Sequence, residues 1–382
     1  MDRTPLICDY GSGFSKVGFA GTETPLAVFP TVIGKLKHNG LSCPARVFQN
    51  LLVGVEEQEC FIGDEVQNNL ERLNLDYPIT QGTITNWDNM EKIWHHTFYN
   101  VLHIAPEQHP VMITEPPLNS KHVKSRTTQI LFETFNVPAM YMANQGVLSM
   151  YASGRTSGTT IESGEGMTYI VPVVNGYPLP LSTIKLDVAG QDLTAYLLQL
   201  LSNSGNLLVS TADREYVRNL KEKHSYVALD YDMEISKASG SSIQKTFHLP
   251  DGKEVNLGQE AFMCLEALFK TSLVGKTKPG IHMQAQESIT SCDHSHWKTL
   301  FGNIMLSGGT GACTGLQFRL QREIARLVSP DVCVQVATSP YAKYGAWVGA
   351  SILCSLPLFK NMWVTSHEYR EIGSSVTCRR NL

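Results

Sequence analysis

Nine cysteines are scattered along 382 residues without a Cys-x-x-Cys pair, and no Asn-x-Ser/Thr sequon occurs. An odd, dispersed set of thiols excludes a disulfide framework and is expected of reduced protein in the cytosol or nucleus. Basic excess is lacking as well. Lys and Arg number 31 against 35 Asp and Glu, a formal net charge of −4, whereas a dedicated nucleic-acid binder shows a basic face and a pI above about 9. No Lys/Arg cluster of the nuclear-localisation kind is present. The uncharged run between Lys343 and Lys360 contains Gly345, Gly349 and Pro357 and is shorter than the roughly 20 residues that span a bilayer. Met1-Asp2-Arg3-Thr4-Pro5 leads into only a short apolar stretch, so no secretory leader is expected. Glycine and proline are spread evenly, which leaves no linker-like segment. With 42% hydrophobic residues the chain has ample material for a core, and its length suggests two or three domains.

What is present begins with two similar units. Leu6 to Phe19 reads as strand, tight turn, strand: an apolar run ends at Asp9, Gly11 and Gly13 permit the reversal, and a second apolar run follows. Thr160 to Pro172 repeats the arrangement around Glu162, Gly164 and Gly166. Two copies of acid-x-Gly-x-Gly at the mouth of an apolar hairpin suggest a duplicated domain whose turns face each other. A third glycine turn, Ser307-Gly308-Gly309-Thr310-Gly311, follows an apolar strand and precedes a helical pattern ending near Leu327. Met90–Leu102, Lys124–Phe135, Leu193–Leu201 and Ala212–Lys223 carry apolar residues at helical spacing. Strands alternating with helices make the chain an α/β protein. Pro30 to Glu59 has no clear period and reads as a long exposed loop on a peripheral subdomain.

Opposed glycine hairpins have an evident use. Glycines let backbone N–H groups point at an anion, and Ser12 and Ser163 add hydroxyl donors. Lys16 can neutralise phosphate charge, while Asp9, Glu162 and Glu165 can hold a magnesium ion through its waters. The plain alternative, turns in which glycine merely relieves strain, suffices for one hairpin but not for the set of three.

Longer stretches then carry a family resemblance. Ile84-Thr85-Asn86-Trp87-Asp88-Asn89-Met90-Glu91-Lys92-Ile93-Trp94-His95-His96, Phe132 to Tyr141, Leu186 to Leu193 and Ser351-Ile352-Leu353 resemble actin and the actin-related proteins, with a likeness extending over essentially the whole chain. The resemblance implies the fold shared by actin, Hsp70 chaperones and sugar kinases, duplicated α/β halves around a cleft holding ATP or ADP with Mg. On this pattern residues 1–152 and 345–382 form an outer half, with about 30–70 as the peripheral subdomain, and 153–344 form the inner half. Gly11, Ser12, Gly13 and Lys16 match the first phosphate loop, with Asp9 as its metal-side acid. Ser163, Gly164, Glu165 and Gly166 match the second loop, and Glu162 matches its metal-side acid. Lys221 and Glu222 match residues beside the adenosine, Gly308, Gly309 and Thr310 the turn against adenine and phosphate, and Lys343 a base-side lysine. Gln145 matches the glutamine that orients the attacking water, which makes Gln145 and Glu162 the catalytic candidates.

Departures from actin fall where hydrolysis occurs. Glu162 and Glu165 replace aspartates, Tyr169 a histidine and Tyr10 an asparagine. A displacement of about 1 Å can cost roughly a hundredfold in rate, and tyrosine does not accept a proton near neutrality. Tyr10 is expected to place a ring beside the phosphates. The family pattern therefore implies weak or absent hydrolysis.

Assembly surfaces differ too. The Pro30–Glu59 loop is longer than its counterpart in actin, and Lys276 and Lys278 place charge in the segment that matches actin's apolar plug. No actin-like homopolymer is expected. Tyr151, Gly154, Thr156, Tyr177, Ile352, Leu353, Leu356 and Met362 match an apolar cleft that takes partner helices or loops, although such residues also pack a hinge. Cytoskeletal or actin-binding proteins, actin among them, are the expected partners, with neither direct nucleic-acid contact nor membrane insertion. The expected place is the cytoplasm and cytoskeleton, with the nucleus as the alternative. Cys292-Asp293-His294-Ser295-His296 has metal-ligand types but no second cluster at zinc spacing, so a solvated helix start is the reading there. The competing functions are an active ATPase or phosphotransferase of the same superfamily and a subunit of a nuclear chromatin-remodelling assembly.

Overall fold

A computed structural model describes residues 3–37, 60–206, 208–240, 245–250 and 252–380. Most of the loop anticipated between Pro30 and Glu59 lies outside the described residues. Its first residues are not loop: Ile33–Leu36 is a strand paired with Cys60–Ile62 and with Leu73–Asp76. Ile33 and Gly34 are buried in that small sheet, and an irregular mixture of Gly, Pro and Lys hides the strand from a periodicity reading.

The first hairpin forms as its sequence dictates. Leu6–Tyr10 pairs antiparallel with Phe14–Phe19 in a register that sets Asp9 opposite Lys16, and Gly11 N–H donates to Phe14 O at 3.0 Å to close the turn. Leu6, Ile7 and Cys8 are all fully buried, as a central strand covered on both faces requires. On the other side Leu6–Cys8 runs parallel to Val111–Ile113. The second hairpin, Gly158–Ser163 with Thr168–Val174, has the same plan and runs parallel to Ile304–Ser307.

The two large sheets therefore share a topology. In the first, the order is Ala27–Pro30, Phe14–Phe19, Leu6–Tyr10, Val111–Glu115, Ala139–Asn144, with Val364–Thr365 antiparallel at the far edge. In the second it is Tyr177–Pro178, Thr168–Val174, Gly158–Ser163, Ile304–Ser307, Val336–Thr338. Each contains an antiparallel meander followed by two parallel strands reached through helical crossovers, so the duplication inferred from the two hairpins extends to five strands of each sheet; Ile184–Leu186, paired with Thr168–Val174, is the extra strand of the second. Separate apolar clusters pack the two sheets, one around Leu6, Trp94 and Phe98, the other around Ile161, Leu265 and Phe301.

The helices lie where periodicity placed them, and their starts have local causes. Asn86 caps Trp87–His95 by accepting from Asn89 N–H, and the helix continues as a π-turn through His96–Val101. Ser120 caps Lys121–Glu133, and a Ser210/Asp213 capping box starts Thr211–His224. Asp293 caps His294–Gly302, the solvated helix start foreseen for that cluster. Two helices lie at the waist where the chain passes between sheets, Gln145–Ala152 and Gly345–Ser355. Their approach is so close that a Cβ on Gly349 would stand 1.9 Å from Leu148 O. A mixed α/β architecture with paired, equivalent sheets is thus present, as predicted.

Candidate functional site

Between the two sheets lies a cavity of about 540 Å³ whose walls include both hairpin tips and the third glycine turn. The tips meet. A Cβ on Gly166 would lie 2.4 Å from Ser12 Oγ, and one on Gly13 would lie 3.0 Å from Glu165 Cβ. The tip amides of Ser12, Gly13, Glu165 and Gly166 donate to no other backbone group among the described residues. Unengaged N–H groups on glycine turns are suited to an anion. A third element joins them: Gly82, at φ +73°, donates its N–H to Ser12 Oγ at 3.3 Å and faces the Tyr169 hydroxyl.

The third turn braces the second hairpin. Thr310 N–H and Gly311 N–H both donate to Ser163 O at 3.0 Å, and Thr310 Oγ1 donates to Gly164 O at 2.8 Å. Gly308 sits at φ +84° with Ser163 O only 2.2 Å from where a Cβ would be, so backbone proximity demands glycine. Gly309, by contrast, faces open space.

Asp9 is buried at the end of its strand and saturated with donors. Lys16 Nζ bonds its Oδ2 at 2.9 Å, while Thr114 Oγ1 and Gln145 Nε2 both donate to Oδ1. Gln145 Nε2 also reaches Thr114 Oγ1 at 3.2 Å. The two acceptors stand side by side and share one amide hydrogen of Gln145, while its carbonyl oxygen is the group able to accept from a water in the cavity. Thr114 was not singled out in the sequence; its only signal was its position near the end of an apolar strand parallel to the one carrying Asp9.

Glu162 differs from Asp9. It is 9% exposed, and its Oε1 is buried without a hydrogen-bond partner among the described residues. Burial pushes its carboxyl up to about 7, against the downward pull of the Ser149 and Ser307 hydroxyls. Tyr169, on the neighbouring strand, is buried and held neutral, with burial raising its hydroxyl to about 12. Glu165 turns toward the inner helices: its Oε2 lies 3.8 Å from Lys221 Nζ and crowds Gly190. The Lys221 ammonium is buried and donates to Gly190 O at 2.6 Å and Thr194 Oγ1 at 2.8 Å. Glu222 and Lys343 line the same end of the cavity, together with Cys313, which sequence reasoning passed over.

Tyr10 corrects an expectation. Its ring leans on Trp94 with centroids 6.2 Å apart, and its hydroxyl is buried. The side chain belongs to the core under the first sheet rather than standing beside the phosphate turns, because the alternation of the strand points position 10 into that core.

Among the described residues no three His, Cys, Asp or Glu side chains are close enough to chelate a metal directly. The donor set suits a cation that keeps its waters, with the orphaned Glu162 Oε1 as an acceptor for one of them. The eight residues read as a partner cleft fall into three sets. Tyr177, Ile352, Leu356 and Met362 are exposed, Tyr177 at 71%, whereas Tyr151 and Leu353 pack against the apolar cluster at the waist. Gly154 and Thr156 sit in the turn before the second hairpin, where Thr156 O accepts from Gly176 N–H. The segment with Lys276 and Lys278 is tied down: the two ammonium groups lie 3.5 and 3.8 Å from the Asp187 carboxylate. No helix among the described residues is long and apolar enough to cross a membrane.

A family model described as Actin matches residues 1–381 of the chain.

Proposed function

The chain belongs to the actin family, and we propose that it is a structural, actin-related protein that uses ATP or ADP with Mg as a cofactor closing its two halves, with slow or absent hydrolysis. The family as a whole binds such a nucleotide with a divalent metal. The observation that carries the reading is the convergence of three glycine turns, from two sheets of one topology, on a single cavity. In this proposal Gly11, Ser12, Gly13 and Lys16 take one side of the phosphates and Ser163 to Gly166 the other. Asp9 and Glu162 hold the metal's waters. Lys221 and Glu222 serve the ribose end, and Gly308, Gly309, Thr310 and Lys343 the base. The halves are residues 1–152 with 345–382, carrying the peripheral piece at about 30–70, and 153–344.

Slow chemistry follows from the groups beside Gln145. Before a cation binds, a carboxyl with a value near 7 at the metal-side position carries its charge only in part at neutrality. Tyr169, near 12, accepts no proton there. The orientation of Gln145 favours the second reading, an active ATPase, since its carbonyl is free to position water. Single-turnover phosphate release separates the two. The native protein is expected to be far slower than actin, and Glu162→Asp with Glu165→Asp and Tyr169→His to be faster; native release at actin's rate would overturn the proposal.

Function then resides in partners. The exposed apolar set around Tyr177, Ile352 and Leu356 supports docking of cytoskeletal or actin-binding proteins, in the cytoplasm or the nucleus. The clamped Lys276–Lys278 segment supports a protein that does not assemble into long actin-like homopolymers.

A further inference from the structure

At the end of the cavity proposed for ribose and base, the wall is made by the third glycine turn and by the close of helix Thr211–His224. The fixed polar groups of this wall are spent within the protein. Lys221 Nζ donates to Gly190 O and Thr194 Oγ1 and lies 3.8 Å from Glu165 Oε2. Thr310 gives its N–H to Ser163 O and its hydroxyl to Gly164 O. The amides of Ala312 and Cys313 close the turn on Gly308 O and Thr310 O, at 3.0 and 3.1 Å. Thr314 O accepts from Val227 N–H at 2.8 Å, and Ser225 Oγ accepts from the Cys264 thiol at 3.6 Å.

The remaining side chains of the wall divide into small and mobile. Gly308, Gly309, Ala312 and Cys313 offer nothing larger than a thiol, and a Cβ on Gly309 would meet no atom within 4 Å. Burial pushes the Cys313 thiol up, so it stays protonated, a weak hydrogen-bonding group. Glu222, Lys223, Thr314 and Lys343 line the cavity from exposed positions, where their polar ends can reorient. Among the described residues, neither stretch lends the cavity an aromatic ring.

Strong discrimination, on the order of 10⁴-fold, comes from held polar groups that the wrong ligand leaves unpaired; a wall of small apolar groups gives far less. Adenine and guanine differ in sense at position 6, an amino donor in one and a carbonyl acceptor in the other. A wall whose fixed partners are already engaged meets only their shared flat bicyclic shape. We propose that the site is tolerant of the base: it takes purine nucleoside triphosphates as a class, ATP and GTP alike, with recognition resting on the phosphates and the metal's waters. The inference rests on the nucleotide reading of the site. Occupancy then follows the relative concentrations of the two nucleotides, by mass action.

The test uses the full chain with Mg and radiolabelled ATP, displaced by unlabelled ATP, GTP or ITP, the last with a carbonyl at position 6 and no amino group. All three are expected to displace the label at concentrations within tenfold of one another. A preference for ATP beyond tenfold, about 1.4 kcal/mol, overturns the inference. Glu222→Gln replaces an acceptor with an amide that both donates and accepts, and the ratio of ATP to GTP affinity is expected to move by less than tenfold. A larger movement shows that the carboxylate reads the base and also overturns it. Absence of any retained label refutes the nucleotide reading, and this inference with it, whereas strict preference for ATP refutes the inference alone.

Discussion

Replacing Glu162 with glutamine isolates the most perturbed acid of the cavity. The carboxyl rises from 4.5 to about 7, chiefly through burial. At about 1.36 kcal/mol per pH unit, that difference represents ~3 kcal/mol of preference for the protonated form in the folded state. The sign follows from where the protons sit. Below pH 4.5 the folded and unfolded forms both hold the proton, and the contribution is fully present. Between 4.5 and about 7 the unfolded chain releases a proton that the folded chain retains, so stability falls as pH rises. Above about 7 the loss is complete and the profile flattens in this respect. Glutamine has nearly the same shape, can meet the Ser149 and Ser307 hydroxyls, and does not titrate.

Urea unfolding of nucleotide-free protein across this range provides the assay. Glu162→Gln is expected to gain on the native protein by ~3 kcal/mol between the acid and neutral ends of the series. Addition of ATP and Mg is expected to shrink the gap, because a nearby cation favours the ionised carboxylate. Parallel pH profiles for the two proteins would refute the reasoning, since Glu162 would then titrate alike in both states.

Two further outcomes concern packing and assembly. Gly349→Ala drives a methyl group into Leu148 O at the crossing of the waist helices. Overpacking of this kind costs about 1–3 kcal/mol or more, so a lower midpoint in thermal unfolding is expected, and an unchanged midpoint would show that the helices can separate freely. Purified protein with ATP and Mg is expected to stay in the supernatant on high-speed sedimentation, with Lys276 and Lys278 held against Asp187; pelleted filaments would contradict that expectation.

Much of this molecule is legible in its sequence for local reasons. Asp9 to Lys16 and Glu162 to Thr168 advertise their turns because glycine at those points has a mechanical meaning within a few residues. Helices such as Thr211–His224 announce themselves through Ser210 and Asp213. What stayed hidden depends on partners distant in the chain. Tyr10 looked like a phosphate neighbour by adjacency, yet strand alternation sends its ring toward Trp94. Thr114 gains its place against Gln145 only when two parallel strands are brought side by side. Leu70 and Ala212 are ordinary apolar residues until the fold sets them against each other. The value near 7 at Glu162 is likewise a property of enclosure and not of any motif.

The crossing of Gln145–Ala152 with Gly345–Ser355 has a mechanical consequence. With Gly349 seated on Leu148 O, the two helices form a bearing with almost no radial play. A body turning on so tight a pivot moves least near its axis and most at its rim. The waist is thus a poor place from which to detect motion. Distance labels on exposed positions of the peripheral sheet and of helix Thr211–His224 would report any turn about this crossing at a far longer lever arm.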